Sequence, residues 1–481
     1  MDIISNIDLL TTTNHWWDTG KVNAVFMENA VRDELKRIFA AMEARRVLAI
    51  VGPRRTGKST LIYQIIDQLL KTGTDPAHIV LFNGDSPLFT GSAKTGGEET
   101  ISSIVDTYVN EKLHKPIIEM KERIYIFIDG IHFLKDWQIH VKSIYDLNSN
   151  VKFIISGSSS IQMFLGARES LLGRITDINV LPFCFDQFLR FFSLFKKTFN
   201  YDRFAEVTPA RSLFDDPAAY YNYLDTKRTE LAFLELALNE VVKSFLLNGG
   251  YPEFFKTDNI LYWQKILTED IIDKGLYRDI VSFYRVTNPL ILERLLYLIA
   301  ANSGGEFAYA GLGGTIGIDT TTASTYINYL SQAHLITVLE NYSPNAVKVV
   351  RKNKKIYVSD NGIRNAIINN DAPDSRDEGF LAESACVQMA RAYCEDKLFG
   401  LYFWRDKQVE ANIIIDKKTH LLPVEVKYRN KIEDKDLDGL YDFMKKYNAK
   451  TGIVITKNIL KKEGDVYFVP LRLAKAATGI G

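Results

Sequence analysis

The sequence has little sulfur, no net charge and no long apolar run. Its three cysteines (Cys184, Cys386, Cys394) lack metal-ligand spacing and point away from a disulfide framework. Cys386 and Cys394 fall in a helical pattern and read as buried packing. Lys plus Arg and Asp plus Glu stand at 59 each, so no global field draws the chain toward nucleic acid or a membrane. Any such partner has to be met through a local patch. No apolar run reaches the ~18 residues of a membrane span. The nearest, Pro289–Ala301, is interrupted by Glu293 and Arg294. The opening MDIISNIDLL carries an early acid and no basic segment ahead of an apolar core, so a cytoplasmic protein with no membrane partner is expected. Neither an internal repeat nor a low-complexity tract is present.

What is there describes an ordinary globular chain: 481 residues, 46% hydrophobic and 25% charged. At roughly 150 residues per domain, about three domains are expected. Short apolar runs (VLAIV from Val47, IVLF from Ile79, IYIFID from Ile124, VKFIIS from Val151) alternate with helical patterns. That alternation predicts an α/β domain, a parallel sheet covered by helices on both faces, over residues 1–190. Residues 191–285 are helical and aromatic-rich and read as a lid or connector. Residues 286–370 show helices followed by a two-stranded hairpin, the outline of a winged helix-turn-helix. Residues 371–481 open on a helix and continue as strands, with one further helix, DLDGLYDFMKKY.

Residues 52–59 read GPRRTGKS and fit G-x-x-x-x-G-K-[ST] in full, between a predicted strand and a predicted helix. In such a P-loop the glycines let backbone N–H groups curl toward phosphates, and the helix N-terminus adds its positive dipole end. Gly52, Pro53, Arg54, Arg55, Thr56, Gly57, Lys58, Ser59 and Thr60 are therefore the expected ATP-binding residues, with Lys58 on the β- and γ-phosphates. The Ser59 hydroxyl is the expected Mg²⁺ ligand. Asp129, ending IYIFID, is the expected second metal ligand. Many ATPases of this layout follow that Asp with a Glu that positions water. Here the residue is Gly130, which leaves nucleotide and Mg²⁺ binding intact and puts hydrolysis in question, at a typical cost of ~10²–10⁴ in rate. Asn83 and Asp85 approach the same sheet edge, with Asp85 read as a turn residue and His132 as facing elsewhere.

Further along, Ser324, Thr325, Asn328 and Gln332 supply polar reach on the predicted recognition helix. Lys348, Arg351, Lys352, Lys354 and Lys355 make a basic hairpin suited to DNA phosphates, or to solvent alone.

The segments NHWW, GPRRTGKST, IFIDGIHFLKDW, FIISGSSS, LLGR, GGYPEFF and FLAES…YFWRDKQVEANIII…PVEVKY occur in that order over nearly the whole chain. Together they resemble the archaeal and bacterial AAA-type P-loop ATPases that carry a C-terminal PD-(D/E)XK nuclease-like domain of unknown function. The resemblance implies a polar sensor near the γ-phosphate at Ser156 or Ser158. It also implies an arginine finger or sensor at Arg174, acting in cis or from a neighbouring subunit of a homo-oligomer. For the last domain it implies a restriction-endonuclease-like fold, with Glu383, Asn412, Glu425 and Lys427 at the positions that gather around Mg²⁺. Asn412 stands where that pattern has an acid. Glu410 lies on the same face, about 6.5–7 Å along the strand. The reading that follows is an ATP-binding AAA-type ATPase, oligomeric, coupling nucleotide state to a winged helix and a nuclease-like domain on DNA. The alternatives are a nucleotide-gated protein-interaction switch and an Mg²⁺-dependent nuclease.

Overall fold

The computed structural model describes residues 6–27, 30–86, 100–157, 171, 173–257, 259–281, 284–345, 349 and 352–476. It divides into two compact units, Met1–Val180 and Leu181–Gly481. Ser158, Lys348 and Arg351 lie outside the described residues.

The first unit is a five-stranded parallel sheet of β1 (Val47–Val51), β2 (Ile79–Asn83), β3 (Ile124–Asp129), β4 (Val151–Gly157) and β5 (Ile175–Asn179), in the order β2-β3-β4-β1-β5. Successive strand residues point to opposite faces. Val47, Ala49 and Val51 accordingly pack with Ile126, Ile128 and Phe153 on one side. Leu48 and Ile50 pack with Leu61, Ile65 and Ile154 on the other. Burial on both faces is why β1, β2 and β3 run almost wholly apolar, whereas β4 carries Lys152 and β5, ITDIN, is only partly buried. β2 is an edge, and the NHWW segment closes it. The Asn14 carboxamide takes the N–H of Leu81 (2.6 Å) and donates to its carbonyl (3.0 Å), as a neighbouring strand does. Both Trp16 and Trp17 donate their indole N–H to the Ile79 carbonyl, at 3.1 and 2.8 Å. A sheet edge with its polar groups satisfied this way offers no template for another strand.

The second unit holds a nine-stranded mixed sheet: β6 (Gly305–Phe307), β7 (Ile336–Asn341), β8 (Lys354–Val358), β9 (Gly400–Asp406), β10 (Val409–Asp416), β11 (Leu421–Lys427), β12 (Gly452–Thr456), β13 (Lys461–Glu463) and β14 (Val466–Pro470). Their order is β13-β14-β12-β11-β10-β9-β7-β8-β6. The β7–β8 hairpin and the strands after residue 400 thus belong to one sheet, joined where β7 pairs with β9 in parallel (Glu340 with Tyr402, Asn341 with Phe403). The helical stretch before them is tied to the chain's last residues: Tyr220 donates to the Leu473 carbonyl (2.6 Å), and Arg472 pairs with Glu235 (2.8 Å).

GGYPEFF marks a backbone crossing in this unit. Gly249 has φ +74° and ψ −166°, a conformation open in practice only to glycine. A Cβ on Gly250 would lie 2.0 Å from the Phe183 carbonyl oxygen. The buried Asp360 carboxylate holds the crossing, accepting N–H from Gly250 (2.7 Å), Gly362 (2.9 Å) and Ile363 (3.2 Å). The last two bonds cap the helix Asn361–Ile367. Burial pushes the Asp360 carboxyl up to about 6 in spite of these three donors.

Candidate nucleotide site

β1 runs into the loop at residues 52–57, and the helix Lys58–Lys71 begins directly after Gly57. Gly57 has φ +88°, a left-handed conformation that favours glycine. Arg55 also adopts a positive φ, +61°, an uncommon conformation for a side-chain-bearing residue and one that recurs in ligand-binding loops. The loop is braced from inside, with Thr56 Oγ1 donating to the Pro53 carbonyl at 3.0 Å. From outside, buried Arg32 donates to the Thr56 carbonyl at 2.7 Å. Arg32 is itself held by Glu34, through bonds of 3.2 and 3.0 Å. Burial acts to raise the Glu34 carboxyl, yet the charge and hydrogen bonds of Arg32 keep it below the ordinary range. Sequence reasoning missed this pair. Its only local trace is the R-x-E spacing in VRDELKR.

Lys58 Nζ donates to the carbonyls of Gly52 (3.0 Å) and Pro53 (2.7 Å). Neutral carbonyls are weaker partners for an ammonium than an anionic phosphate oxygen, so the lysine is poised to exchange them. Asp129 ends β3 beside the loop. One of its oxygens accepts from Ser59 Oγ at 2.5 Å, and the other accepts from Ser156 Oγ, on the adjacent β4. Ser156 is fully buried. The sheet order brings these three residues together, because β3, β4 and β1 are neighbours with their C-terminal ends on one edge. A hydroxyl and a carboxylate are hard oxygen donors of the kind Mg²⁺ takes. The residues present therefore fit ATP with Mg²⁺.

Gly130 has a structural reason of its own. Its φ is +75°, it opens the turn closed by Phe133 N–H on its carbonyl (3.0 Å), and a Cβ would approach Phe133 Cδ2 to 3.0 Å. Next to it, the Gly84 N–H bonds the Asp129 carbonyl at 2.7 Å. A Cβ on Gly84 would fall 2.4 Å from the Gly130 carbonyl oxygen. Two backbones meet here, at the position where many ATPases of this layout carry a catalytic Glu. Asn83 stands in register with Asp129 across β2 and β3, while Asp85 is exposed in the following turn. His132 packs on Phe133, ring centroids 4.0 Å apart.

Arg174 is not with this group. It precedes β5, and its carbonyl accepts the N–H of Val47 at the start of β1. That is the sheet edge opposite the loop, about 16 Å away along five residues of strand. Its guanidinium pairs with Asp146 (3.2 Å) and lies over the Tyr145 ring.

In the second unit the basic hairpin needs correction. Lys354 and Lys355 are buried within the sheet, 6% and 5% exposed. Lys354 pairs with Glu340 (3.0 Å) and donates to the Val349 carbonyl (2.7 Å). Lys355 pairs with Glu383 (2.7 Å) and Glu410. Ammonium groups so enclosed and paired do not reach a DNA backbone. Lys352 donates to Asn341 (3.3 Å). On the helix Thr320–Gln332, Asn328 is exposed, Ser324 and Thr325 are half-buried, and Gln332 accepts from Tyr284 (2.7 Å).

Of the four positions of the nuclease-like pattern, Asn412, Glu425 and Lys427 are bonded to one another, and Glu383 is bonded to Lys355 and Tyr357. Glu425 and Lys427 are bonded to each other at 2.5 Å. Glu425 is buried, which pushes its carboxyl up to about 7 against the pull of Lys427. Asn412 sits where β10 shifts register between Ala411 and Ile414. It donates its N–H to Glu425 (3.1 Å) and accepts the Val426 N–H on Oδ1 (2.8 Å). Glu383, from the helix Ser375–Lys397, accepts from both Lys355 and Tyr357, each at 2.7 Å. Burial acts to raise Glu383, and the Lys355 charge overcomes it, leaving the carboxyl below its ordinary range.

A parallel sheet with a phosphate loop at the C-terminal end of β1 defines the first unit as a P-loop NTPase. Residues 44–189 match the family model described as an AAA domain, so this part of the chain is similar to AAA-type ATPase domains. Such ATPases generally bind ATP with Mg²⁺. Residues 239–374 and 378–474 match two families described as domains of unknown function. An uncharacterized protein of Methanocaldococcus jannaschii is 23% identical over 434 residues, covering 89% of this chain and 84% of its own length. One from Haemophilus influenzae is 22% identical over 336 residues, covering 69% of this chain and 71% of its own. Among solved structures, the Aeropyrum pernix ORC1 protein in complex with DNA aligns at TM-score 0.29 and 13% identity, over 70% of this chain and 91% of that one. Cdc6p from Pyrobaculum aerophilum aligns at TM-score 0.27 and 13% identity, over 73% and 98%. Among the described residues, no helix is long and apolar enough to cross a membrane.

Proposed function

We propose that this chain is an ATP- and Mg²⁺-binding AAA-type ATPase that turns over slowly and works as a nucleotide-controlled switch. The observation that carries the reading is the convergence of the Gly57 turn, Lys58, Ser59, Asp129 and Ser156 on one sheet edge. Lys58 meets the phosphates, Ser59 and Asp129 hold the metal ion, and Ser156 orients Asp129 from the neighbouring strand. When bound, the metal ion neutralises phosphate charge. Slow turnover follows from Gly130, which brings no acid–base group to the attacking water. Arg174 acts on nucleotide from one subunit to the next in a homo-oligomer, since within its own subunit it stands at the sheet edge away from the loop.

The switch reading, with a protein as partner, is favoured over DNA as the partner by the burial of Lys354 and Lys355. The experiment is equilibrium binding of a fluorescent ATP analogue with Mg²⁺ to the full chain and to Lys58→Ala. A charged hydrogen-bonding partner of phosphate is worth about 10- to 100-fold in affinity. An unchanged affinity in Lys58→Ala refutes nucleotide binding at this loop. Duplex DNA titrated over a range of salt tests the partner class: binding that weakens steeply with salt would return DNA to first place.

A further inference from the structure

The resemblance reserves a divalent metal ion for Glu383, position 412, Glu425 and Lys427. The residues present do not fit one. Lys355 enters from β8 and sets its ammonium between Glu383, on the helix Ser375–Lys397, and Glu410, on β10. The remaining oxygen of Glu410 pairs with Arg405 at 2.6 Å, and Arg405 reaches on to Glu306 at 2.8 Å. Glu425 is spanned by Lys427 and the Asn412 N–H. The oxygen of Asn412 that a metal ion would need accepts the Val426 N–H. Each carboxylate of the centre therefore already faces a cation of the chain's own. Among the described residues, no group of three or more His, Cys, Asp or Glu side chains is placed to hold a metal ion.

We propose that Lys355 is a built-in replacement for that metal ion. Its ammonium occupies the position between Glu383 and Glu410, excludes a divalent cation, and binds strand β8 to the helix and to β10 as a permanent ionic tie. A lysine delivers one positive charge and three N–H donors, satisfying two carboxylate oxygens without offering a polarised water. The centre is accordingly structural and cleaves no nucleic acid. The tie also crosses the junction at which β7 pairs with β9, so it locks the hairpin segment to the strands that follow it.

The test counts Mn²⁺ ions bound per nucleotide-free full chain by electron paramagnetic resonance, in the native protein, Glu383→Gln, Lys355→Met, and Lys355→Met with Asn412→Asp. The native protein is expected to bind no ion that Glu383→Gln removes. The double variant is expected to gain one ion per chain, lost again when Glu383→Gln is added. A native Mn²⁺ ion that disappears in Glu383→Gln overturns the proposal, and this arm depends on no lysine variant folding. A double variant with a native far-ultraviolet spectrum and no gained ion also overturns it. A thermal readout accompanies the count: millimolar Mn²⁺ is expected to raise the melting temperature of Lys355→Met while leaving that of the native protein unchanged. Equal response in the two refutes the replacement.

Discussion

Restoring the missing acid by Gly130→Glu is the obvious way to accelerate an ATPase that lacks it, and the geometry predicts that it fails. The backbone at 130 has φ +75°. A side chain in that region costs about 1–2 kcal/mol. The new Cβ would start 3.0 Å from Phe133 Cδ2 and 3.3 Å from its Cε2, so the side chain departs toward the Phe133 ring. A shift of the ring can relieve the contact but does not redirect the bond. A carboxylate that positions water contributes ~10²–10⁴ in rate. One aimed at Phe133 contributes almost none of it, so phosphate release at saturating ATP and Mg²⁺ is expected to stay within about 3-fold of the native chain. Affinity for the nucleotide should hold as well, since the loop, Ser59 and Asp129 are untouched. Gly130→Ala, run beside it, isolates the backbone cost from any effect of the acid. A rise of 100-fold or more in Gly130→Glu, absent in Gly130→Ala, would refute the reasoning.

Two further substitutions test the scaffold. Asp360→Ala strips three buried backbone N–H groups of their acceptor and is expected to lower stability by about 3 kcal/mol or more, read as a lower urea midpoint for the second unit. The effect depends on pH. The native carboxyl titrates at about 6, above its ordinary 3.8, so the native state holds this proton more tightly than the unfolded chain does. The resulting stabilisation is absent above pH ~7, grows as pH falls through 6, and reaches about 1.4 kcal/mol at pH 5. Asp360→Ala lacks it, so its penalty should be larger at pH 5 than at pH 8 by that amount, and a penalty equal at both refutes the assignment. Asn14→Ala exposes the Leu81 edge of β2 and is expected to cost about 2 kcal/mol, with faster hydrogen exchange at residues 79–82. Unchanged exchange there would show that NHWW does not close the sheet.

How much was legible depended on distance along the chain. Strands β1 to β4 could be read because each buries consecutive residues on two faces, and the phosphate loop because its strand, turn and helix are adjacent in sequence; β5, the polar and half-buried ITDIN, could not. The exposure of Lys354 and Lys355 could not be read. A Lys-rich hairpin looks solvated until the helix Ser375–Lys397 and β10 bring Glu383 and Glu410 against it, 28 and 55 residues further on. The NHWW segment was legible as a marker and silent as to purpose, since its partners Ile79 and Leu81 lie more than 60 residues away.

By itself, then, the order of residues determined what local physics decides: which runs bury both faces, where the backbone must turn without a side chain, and which loop suits a triphosphate. Tertiary structure alone decided which charges meet. It set Lys355 between two carboxylates, moved Arg174 to the far edge of its sheet, and made Gly130 a crossing point of two backbones. The reason is that a charge or a glycine has no intrinsic role. Its chemistry is set by what surrounds it, and those surroundings come from parts of the chain that meet only when it folds.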